Sequence, residues 1–293
     1  MTLEQLRIFV AVAEREHVTR AAADLRLTQS ATSAAVAALE SRYDTKLFDR
    51  VGRRIELTEA GRLFLTEARA VLARVQAAEA LLTDLAGLKR GALSLAASQT
   101  VGNYWLPPVM QRYRERHPGV ALSLRIGNTE QVAHWVHETS ADIGLIEGEI
   151  DDPTLSISQI AEDEMVLVVG RMHPWAGRAS VLPSDLSETQ WVLREPGSGT
   201  RSIFETWLAE AGIAADSLQI ALEFPSNEAI RGAVEAGAGA TVISRLVADA
   251  MLRIGSLVQI GLALPKRRFY ALRHKERHIT HAERAFAALL SES

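Results

Sequence analysis

The sequence predicts a multidomain α+β fold, in which a small helical domain comes first, one long helix follows, and a two-lobed α/β domain comes last. Three observations predict it. Apolar residues recur at helical spacing near the N-terminus, residues 58–89 continue without a proline, and short β-prone runs alternate with helical segments after Gly91. We place the domain boundaries at 1–57, 58–90 and 91–293.

The composition is that of a globular protein. The chain has 293 residues, 47% of them hydrophobic and 23% charged, which suffices for about two domains. No stretch approaches about 18 apolar residues, and Glu4 and Arg7 interrupt the apolar N-terminus, so we expect no membrane span, no signal peptide and a cytoplasmic protein. The chain contains no cysteine, which excludes disulfides, thiolate metal sites and thiol nucleophiles.

Charge alone does not identify a partner. The formal net charge is −4, and residues 1–90 contain 14 Lys and Arg against 12 Asp and Glu. A nucleic-acid-binding domain usually carries a clear basic patch, so this contrast is too small to indicate one.

Two capped helices are predicted after an amphipathic first helix over 3–16. Thr19 is expected to cap a helix over 20–25, and Thr28 to cap one over 29–40, because a threonine hydroxyl accepts from amides of the first helical turn. The short connection between them indicates a helix-turn-helix. An ordinary helical pair in a bundle is the alternative.

The start of the second helix is polar, as a DNA-recognition helix requires, since its N-terminal residues meet base edges and its amides meet phosphate. Residues 46–57 predict a short hairpin with arginines at its tip, and such a wing contacts the DNA backbone. The predicted DNA-binding residues are Thr19, Arg20, Thr28, Gln29, Ser30, Thr32, Ser33, Arg50, Arg53 and Arg54.

A long helix is predicted from the cap at Thr58 to the hinge near Gly91, with 32 residues and a length of about 48 Å. Apolar residues alternate spacings of four and three along it, which favours a two-helix dimer. The alternative is a long helix packed on its own domain. The seam positions are Phe64, Ala68, Val71, Val75, Ala78, Leu82 and Leu85.

The remaining residues predict an α/β domain with mainly parallel sheets. About 200 residues with seven or more strands favour two lobes, lobe I over 91–161 and 267–293 and lobe II over 162–266. The strand-like runs are 93–97, 121–126, 142–146, 165–169, 191–193, 219–222 and 240–243.

Two polar turns follow strands of this domain. Residues 195–201 are rich in glycine and hydroxyls and end in Arg201, and Ser98-Gln99-Thr100 follows the first strand. Glycine allows the backbone to approach a ligand, and ligands of open α/β sheets bind beyond the carboxyl ends of the strands. The turn at 195–201 lacks the lysine of a P-loop, and a simple connection is the alternative.

Acidic and amide side chains add to the same rim. Glu147 follows the strand that ends at Ile146, and Asn227 with Glu228 begin a later helix. Three roles are open for Glu147: it orients Arg201, accepts a hydrogen bond from a protonated oxyanion, or is a solvated rim residue.

The first 60 residues closely resemble the LysR-type family of bacterial transcriptional regulators, and the resemblance continues through the whole chain. Asp44 stands where the family usually has a glycine, and Ala34 and Ala37 stand where many members have basic or long polar residues. Residues 98–104 and 194–201 resemble the branch that governs sulfur assimilation and carbon fixation. The segments that carry the main resemblance are 6–14, 19–22, 27–33, 39–40, 47–50 and 57–61.

The resemblance implies a winged helix-turn-helix, a coiled-coil linker helix and a two-lobed domain like periplasmic binding proteins. It implies a transcriptional regulator, not an enzyme, with no cofactor. Expected partners are double-stranded DNA, a small anionic effector such as a sulfite-like or sulfate-like oxyanion or a metabolite, further copies in a homotetramer, and RNA polymerase as a candidate. The alternatives are an effector-independent repressor with an empty cleft, and a solute-binding protein or enzyme on the same fold.

The predicted effector-binding residues are Ser98, Gln99, Thr100, Asn103, Glu147, Glu195, Gly197, Ser198, Gly199, Thr200, Arg201, Asn227 and Glu228. His274, His278 and His281 have helical spacing, but His274 ends a strand-like run, so we expect no metal site there.

Overall fold

The structure is a computed structural model that describes residues 1–51, 54–85 and 91–291. The chain divides into two compact units, Met1–Leu82 with Glu138–Ser140, and Thr83–His137 with Ala141–Ser293.

Three helices open the first unit: α1 Leu3–Arg15, α2 Val18–Asp24 and α3 Gln29–Tyr43. α1 begins with a capping box, in which Thr2 and Gln5 each accept from the other's amide, at 3.2 and 3.0 Å. Leu6, Phe9 and Leu39 are buried between the helices and form the centre of the small core.

The helix-turn-helix is present, but Thr19 is not its first cap. α2 begins before Thr19, and His17 is the cap, with Nδ1 accepting from the Arg20 amide at 3.4 Å. The prediction was wrong because histidine is not among the preferred capping residues. Thr28 caps α3 as predicted and accepts from the Ala31 amide at 3.2 Å.

Glu40 fixes the end of α3 to the segment that follows. Its carboxylate accepts from the amides of Leu47 and Phe48 at 2.8 and 3.1 Å, and from Lys46 Nζ at 3.0 Å. Burial opposes its charge, but these hydrogen bonds prevail and lower the pKa of Glu40. Asp44 ends the helix with φ 46°, in the left-handed conformation expected of a residue in the place of glycine.

The predicted hairpin is present as β1 Phe48–Val51 and β2 Arg54–Leu57, which pair antiparallel. Its turn, residues 52–53, lies outside the described residues. The predicted wing cations therefore lie outside the described side chains: Arg50, Arg53 and Arg54.

The long helix is α4 Glu59–Leu85, with 27 residues and a length of about 40 Å. Thr58 caps it, accepting from the Gly61 amide at 2.9 Å. The predicted seam is only partly available to a partner, because Phe64 packs 4.9 Å from the Phe9 ring and Ala68 is buried in the same core. Further along, Val71 and Leu82 are 41% and 68% exposed.

The seven predicted strand-like runs of the second unit fall on strands, except that Asp142 lies just before its strand. The structure adds strand residues 155–164 and a strand at Leu257–Ile260, neither of which the sequence predicted. It also has a strand at Lys266–His274, where the sequence showed only a strand-like run ending at His274. The bounds are β3 Gly91–Ser98, β4 Val120–Gly127, β5 Ile143–Glu147, β6 Leu155–Gly170, β7 Gln190–Arg194, β8 Gln219–Phe224, β9 Ala240–Ser244, β10 Leu257–Ile260 and β11 Lys266–His274.

The strands follow the order β4-β3-β5-β11-β6-β9-β7-β8, and β10 also pairs with β6. The pairs β3 with β4, β3 with β5, β7 with β8 and β7 with β9 are parallel. The expectation of mainly parallel sheets was wrong at the centre, where β11 and β6 run antiparallel and β6 also pairs antiparallel with β9 and β10.

β6 joins two lobes because its halves belong to different strand groups. We call lobe I the part built on β3, β4 and β5, and lobe II the part built on β7, β8 and β9. The first half of β6 pairs with β11 beside lobe I, and the second half pairs with β9 in lobe II. The helices are α5 Leu106–Arg116, α6 Thr129–His137, α7 Gly199–Glu210, α8 Asn227–Glu235, α9 Arg245–Ile254 and α10 His281–Leu290.

Candidate functional site

The first turn of α3 presents polar side chains to solvent. Gln29 and Ser30 are exposed, and Ser33 is half-buried. The Thr28 and Ser30 hydroxyls lie 3.0 Å apart, and Gln29 Nε2 donates to Ser33 Oγ at 3.1 Å. Thr19 and Arg20 are also exposed, on α2. This surface can offer both donors and acceptors to a base edge.

Thr32 does not belong to that surface. Its side chain is fully buried, and its hydroxyl donates to the Thr28 carbonyl at 3.1 Å. The prediction that Thr32 contacts DNA was wrong, because the helical rotation turns this position into the core. Arg26, which the sequence patterns did not single out, is exposed with φ 56° in the turn between α2 and α3.

A second set of polar residues is buried where lobes I and II meet. These residues lie at the carboxyl ends of β3, β5 and β7 and on the helices and strands around them. All are 8% exposed or less. They are Ser98, Thr100, Thr129, Glu147, Asp163, Arg194, Ser198, Thr200, Asn227, Ser244 and Arg267. We call this set the interlobe cluster.

Glu147 lies at the centre of the interlobe cluster. The Ser98 hydroxyl donates to its Oε2, and Arg267 Nη1 lies 3.8 Å from its Oε1. Thr129 Oγ1 donates to the Glu147 carbonyl at 3.0 Å and accepts from the Gly199 amide at 3.2 Å. A methyl group on Gly199 would lie 2.2 Å from that carbonyl oxygen, so only glycine fits there. The start of α7 is thereby packed directly on the end of β5.

Arg267 is a buried cation of the cluster, like Arg194, and the sequence patterns missed it. Its Nε donates to Asp163 at 2.6 Å and its Nη1 donates to Thr200 at 3.0 Å, while Ser244 donates to Asp163 at 3.1 Å. Arg267 and Asp163 face each other across β11 and β6. No glycine or turn marks either position, and each lies within a run of three like charges.

Arg201 does not provide that cation. Its Nε donates to Glu205 at 2.7 Å, and its Nη1 donates to the Arg194 carbonyl at 2.9 Å and to Glu223. Glu205 and Glu223 already neutralise its charge, so the geometry does not support the prediction that Arg201 holds an anion. The carboxylates that orient Arg201 are Glu205 and Glu223, so Glu147 does not have that role. Glu147 is 1% exposed, so it is not a solvated rim residue either.

Asn227 connects the lobes on another side of the cluster. Its backbone N–H donates to Gln99 Oε1 at 3.0 Å. Its side-chain Nδ2 donates to Thr100 at 3.2 Å, and its Oδ1 accepts from Arg194 at 2.6 Å. These bonds satisfy the carboxamide without a ligand. Glu195 accepts from Arg194 Nε at 2.8 Å and therefore neutralises that cation.

Two further predicted residues lie at the edge of this network. Glu228 accepts from the Tyr104 hydroxyl at 2.9 Å, and burial together with this hydrogen bond raises the pKa of Tyr104 to about 12. Asn103 is exposed beside it. Both residues border the interlobe cluster rather than belonging to its buried set.

A cavity of about 400 Å³ opens beside the cluster. Ser198 and Gly199 line it, and so does Gly197, whose φ of 83° favours glycine.

His274 ends β11 and His281 begins α10, so these imidazoles do not share one helical face. None of the described helices is long and apolar enough to cross a membrane.

The chain combines a winged helix-turn-helix with a two-lobed α/β unit that has a polar cluster between its lobes. This combination is typical of a regulator that joins a DNA-binding domain to a ligand-binding domain in one chain. Residues 3–62 match the model of the bacterial regulatory helix-turn-helix proteins of the lysR family, and residues 86–293 match the LysR substrate binding domain. The chain belongs to the LysR family. Its members are transcriptional regulators with a DNA-binding helix-turn-helix, and they are not enzymes.

The relatives agree with this assignment over nearly the full length. The chain is 36% identical to the uncharacterized transcriptional regulator YeiE of Escherichia coli K12, covering 98% of this chain and 96% of that one. It is 32% identical to the RuBisCO operon transcriptional regulator of Allochromatium vinosum, covering 100% and 97%. CysL of Bacillus subtilis is 35% identical, covering 84% and 82%.

Solved structures show the same fold. The crystal structure of CbnR, a LysR family transcriptional regulator, has a TM-score of 0.73 and 22% identity, covering 100% of this chain and 99% of that one. CbnR complexed with its target DNA has a TM-score of 0.72 and 23% identity, with the same coverage.

Proposed function

We propose that this regulator binds duplex DNA with α3 and its hairpin, and that a small oxyanion in the interlobe cluster changes that binding. The observation that supports the effector most directly is a pair of buried donors without partners. Among the described residues, Ser198 Oγ and Arg267 Nη2 have no hydrogen-bond partner, although both residues are only 2% exposed. An unsatisfied buried donor costs about 1–3 kcal/mol, and one oxyanion that accepts from such donors removes that cost.

Glu147 restricts which oxyanion fits. Its carboxylate already accepts from Ser98 and lies near Arg267, and the two other roles considered for it do not agree with the geometry. A fully ionised anion would be repelled by this buried carboxylate, whereas an oxyanion that keeps a proton can donate to it. Hydrogensulfite and hydrogenphosphate keep a proton near neutral pH, and sulfate does not. We therefore expect a proton-carrying oxyanion.

The DNA side of the proposal depends on the exposed first turn of α3. In this proposal Gln29 and Ser30 contact base edges and Arg20 and Arg26 contact phosphates, and the exposure of all four side chains supports it. Such a protein acts on the chromosome, in the cytoplasm. RNA polymerase is a candidate partner.

Coupling between the two functions requires an assembly with two arrangements. The exposed part of α4 supplies a surface for a dimer, and two dimers would form a tetramer. An oxyanion changes DNA binding only if it favours one arrangement energetically. An effector-independent repressor is the alternative. The buried donors without partners, Ser198 Oγ and Arg267 Nη2, argue against it. The N-terminal helix-turn-helix argues against a solute-binding protein or an enzyme.

Ser198→Ala provides the cleanest test of the oxyanion site, since it removes a hydroxyl with no partner among the described residues and should leave stability unchanged or slightly higher. A thermal-shift screen with sulfite, sulfate, phosphate and small carboxylates identifies the best anion, and calorimetry on the full chain measures its affinity. We expect sulfite or phosphate to bind more tightly than sulfate, and Ser198→Ala to weaken binding about fivefold to tenfold.

Arg267→Gln should weaken the same anion about tenfold to a hundredfold, because a charge-assisted hydrogen bond is lost. Arg268→Gln is the matched control, since the neighbouring arginine is exposed on the same strand. Binding that is unchanged in both Ser198→Ala and Arg267→Gln would exclude this site.

A further inference from the structure

The cavity beside the interlobe cluster has a chemical character different from that of the cluster. Its lining includes Glu130, Glu149 and Glu205, and the cation that lines it is Arg201. Arg201 is already paired with Glu205 and with Glu223. Within the described residues, neither Glu130 nor Glu149 has an ion pair, so the cavity carries net negative charge that its own residues do not neutralise.

Ser198 belongs both to the lining of the cavity and to the proposed oxyanion position, so the two lie side by side. This serine lines the cavity and is 2% exposed, and its hydroxyl has no partner among the described residues. Gly199, the next residue, packs on the Glu147 carbonyl. Glu130 lies over the same turn, since a methyl group on Gly197 would come within 2.5 Å of its Oε2. A ligand held by Ser198 therefore extends toward acidic side chains.

Volume supports a ligand larger than an inorganic anion. A cavity of about 400 Å³ is within the range of small-molecule sites, roughly 300–1,000 Å³, whereas one water occupies about 30 Å³. Ile150 and Pro196 in the lining offer apolar contact to an alkyl chain. No group of three or more His, Asp or Glu in the described part of the chain is arranged to hold a metal ion, so an organic cation suits the acidic surface better.

We propose that the effector is a small organic oxyacid that carries an ammonium group, with the oxyanion in the interlobe cluster and the ammonium group in the acidic cavity. This inference rests on the proposed function, because it needs an oxyanion at Ser198 and Arg267. An aminoalkyl phosphate is the simplest member of the class. Its phosphate keeps a proton for Glu147 near pH 6, since the second pKa of a phosphate ester is about 6.

A matched pair of ligands tests the ammonium position on the full chain. Calorimetry at pH 6 compares ethyl phosphate with 2-aminoethyl phosphate, which differ by the amine. We expect the amine to strengthen binding about tenfold, the equivalent of one charge-assisted hydrogen bond of about 1.4 kcal/mol. 2-Carboxyethyl phosphate, with a carboxylate in place of the amine, should bind more weakly than ethyl phosphate.

The double variant Glu130→Gln with Glu149→Gln should reduce the preference for the amine to about twofold, while affinity for ethyl phosphate should not fall. Glu210→Gln, an exposed position at the end of α7, is the control and should keep the preference. If the double variant does not fold, Glu149→Gln alone gives the same test. Equal affinities in the parent, or a preference that survives in the variant, would overturn the inference.

The two proposals fail in different ways. If the parent binds ethyl phosphate and inorganic phosphate but gains nothing from the amine, only the ammonium position is wrong. If the parent binds neither phosphate nor sulfite, the oxyanion site itself is wrong, and the ammonium position is excluded with it.

Discussion

Glu283 is a buried carboxylate whose surroundings disfavour its charge. It is 2% exposed at the start of α10, where Thr280 donates to its Oε1 at 3.3 Å. Arg277 lies near it but forms its ion pair with Asp142. Burial raises the pKa of Glu283 to about 7, the nearby Asp142 adds to this effect, and Arg277 opposes it.

The raised pKa predicts a pH dependence of stability. The folded chain binds this proton more tightly than the unfolded chain, so the free energy of unfolding should fall as pH rises from about 4.5 through about 7. We expect a loss of about 1–3 kcal/mol between pH 5 and pH 8. Denaturant unfolding at several pH values measures it. Glu283→Gln should remove this loss and the exposed control Glu276→Gln should not; a slope that persists in Glu283→Gln would assign the dependence to another group.

The residues of the interlobe cluster were only partly predictable from sequence. Ser98 and Glu147 stand at the ends of β3 and β5, and Ser198 lies between two glycines at the start of α7, where polar residues can be recognised. Arg267 lies within a strand that contains three other cations, and its burial depends on pairing with Asp163, which is more than 100 residues away. Arg201 has the right chemistry in the right turn, but Glu205, one helical turn later, binds it.

At the scale of elements, α3 carries exposed polar side chains, such as Gln29, and a buried one, Thr32, which the sequence does not distinguish. Gln29→Ala should reduce discrimination between a selected operator and random duplex, because an exposed side chain is lost at the base edges. Arg26→Ala should weaken both duplexes alike and lower the salt slope by about one. Fluorescence anisotropy at several salt concentrations measures both effects.

Thr32→Ala is the internal comparison, because Thr32 is buried. It should lower thermal stability while retaining the discrimination of the parent. A change of discrimination with Thr32→Ala, and none with Gln29→Ala, would show that a different face of α3 contacts DNA.

Elements were most predictable where local periodicity decides their structure. The helices of the first unit and the apolar strands of the second follow from spacing. The first half of β6 does not, because Ser156, Ser158 and Gln159 interrupt its apolar pattern. Its pairing with β11 stabilises it, and such pairing between distant residues leaves no local signal.

At the scale of the whole molecule, the exposed part of α4 predicts the assembly. Val71→Asp with Leu82→Asp should convert a dimer to a monomer and weaken operator binding, since both side chains are exposed within one chain and a facing copy would bury charge. Sedimentation measures the mass. Phe64→Asp should instead unfold the first unit, because Phe64 packs against Phe9. A double variant with parental mass and affinity would exclude α4 as the interface.

The burial of the interlobe cluster has a kinetic consequence. Glu147, Ser198 and Arg267 are at most 2% exposed, so a ligand in contact with all three would leave only after the side chains that cover them move apart. Its residence time is then set by that opening rather than by diffusion from an open surface. A regulator built this way averages the effector concentration over the opening time. Short pulses of effector would pass without a response, and a bound state would outlast the signal that produced it.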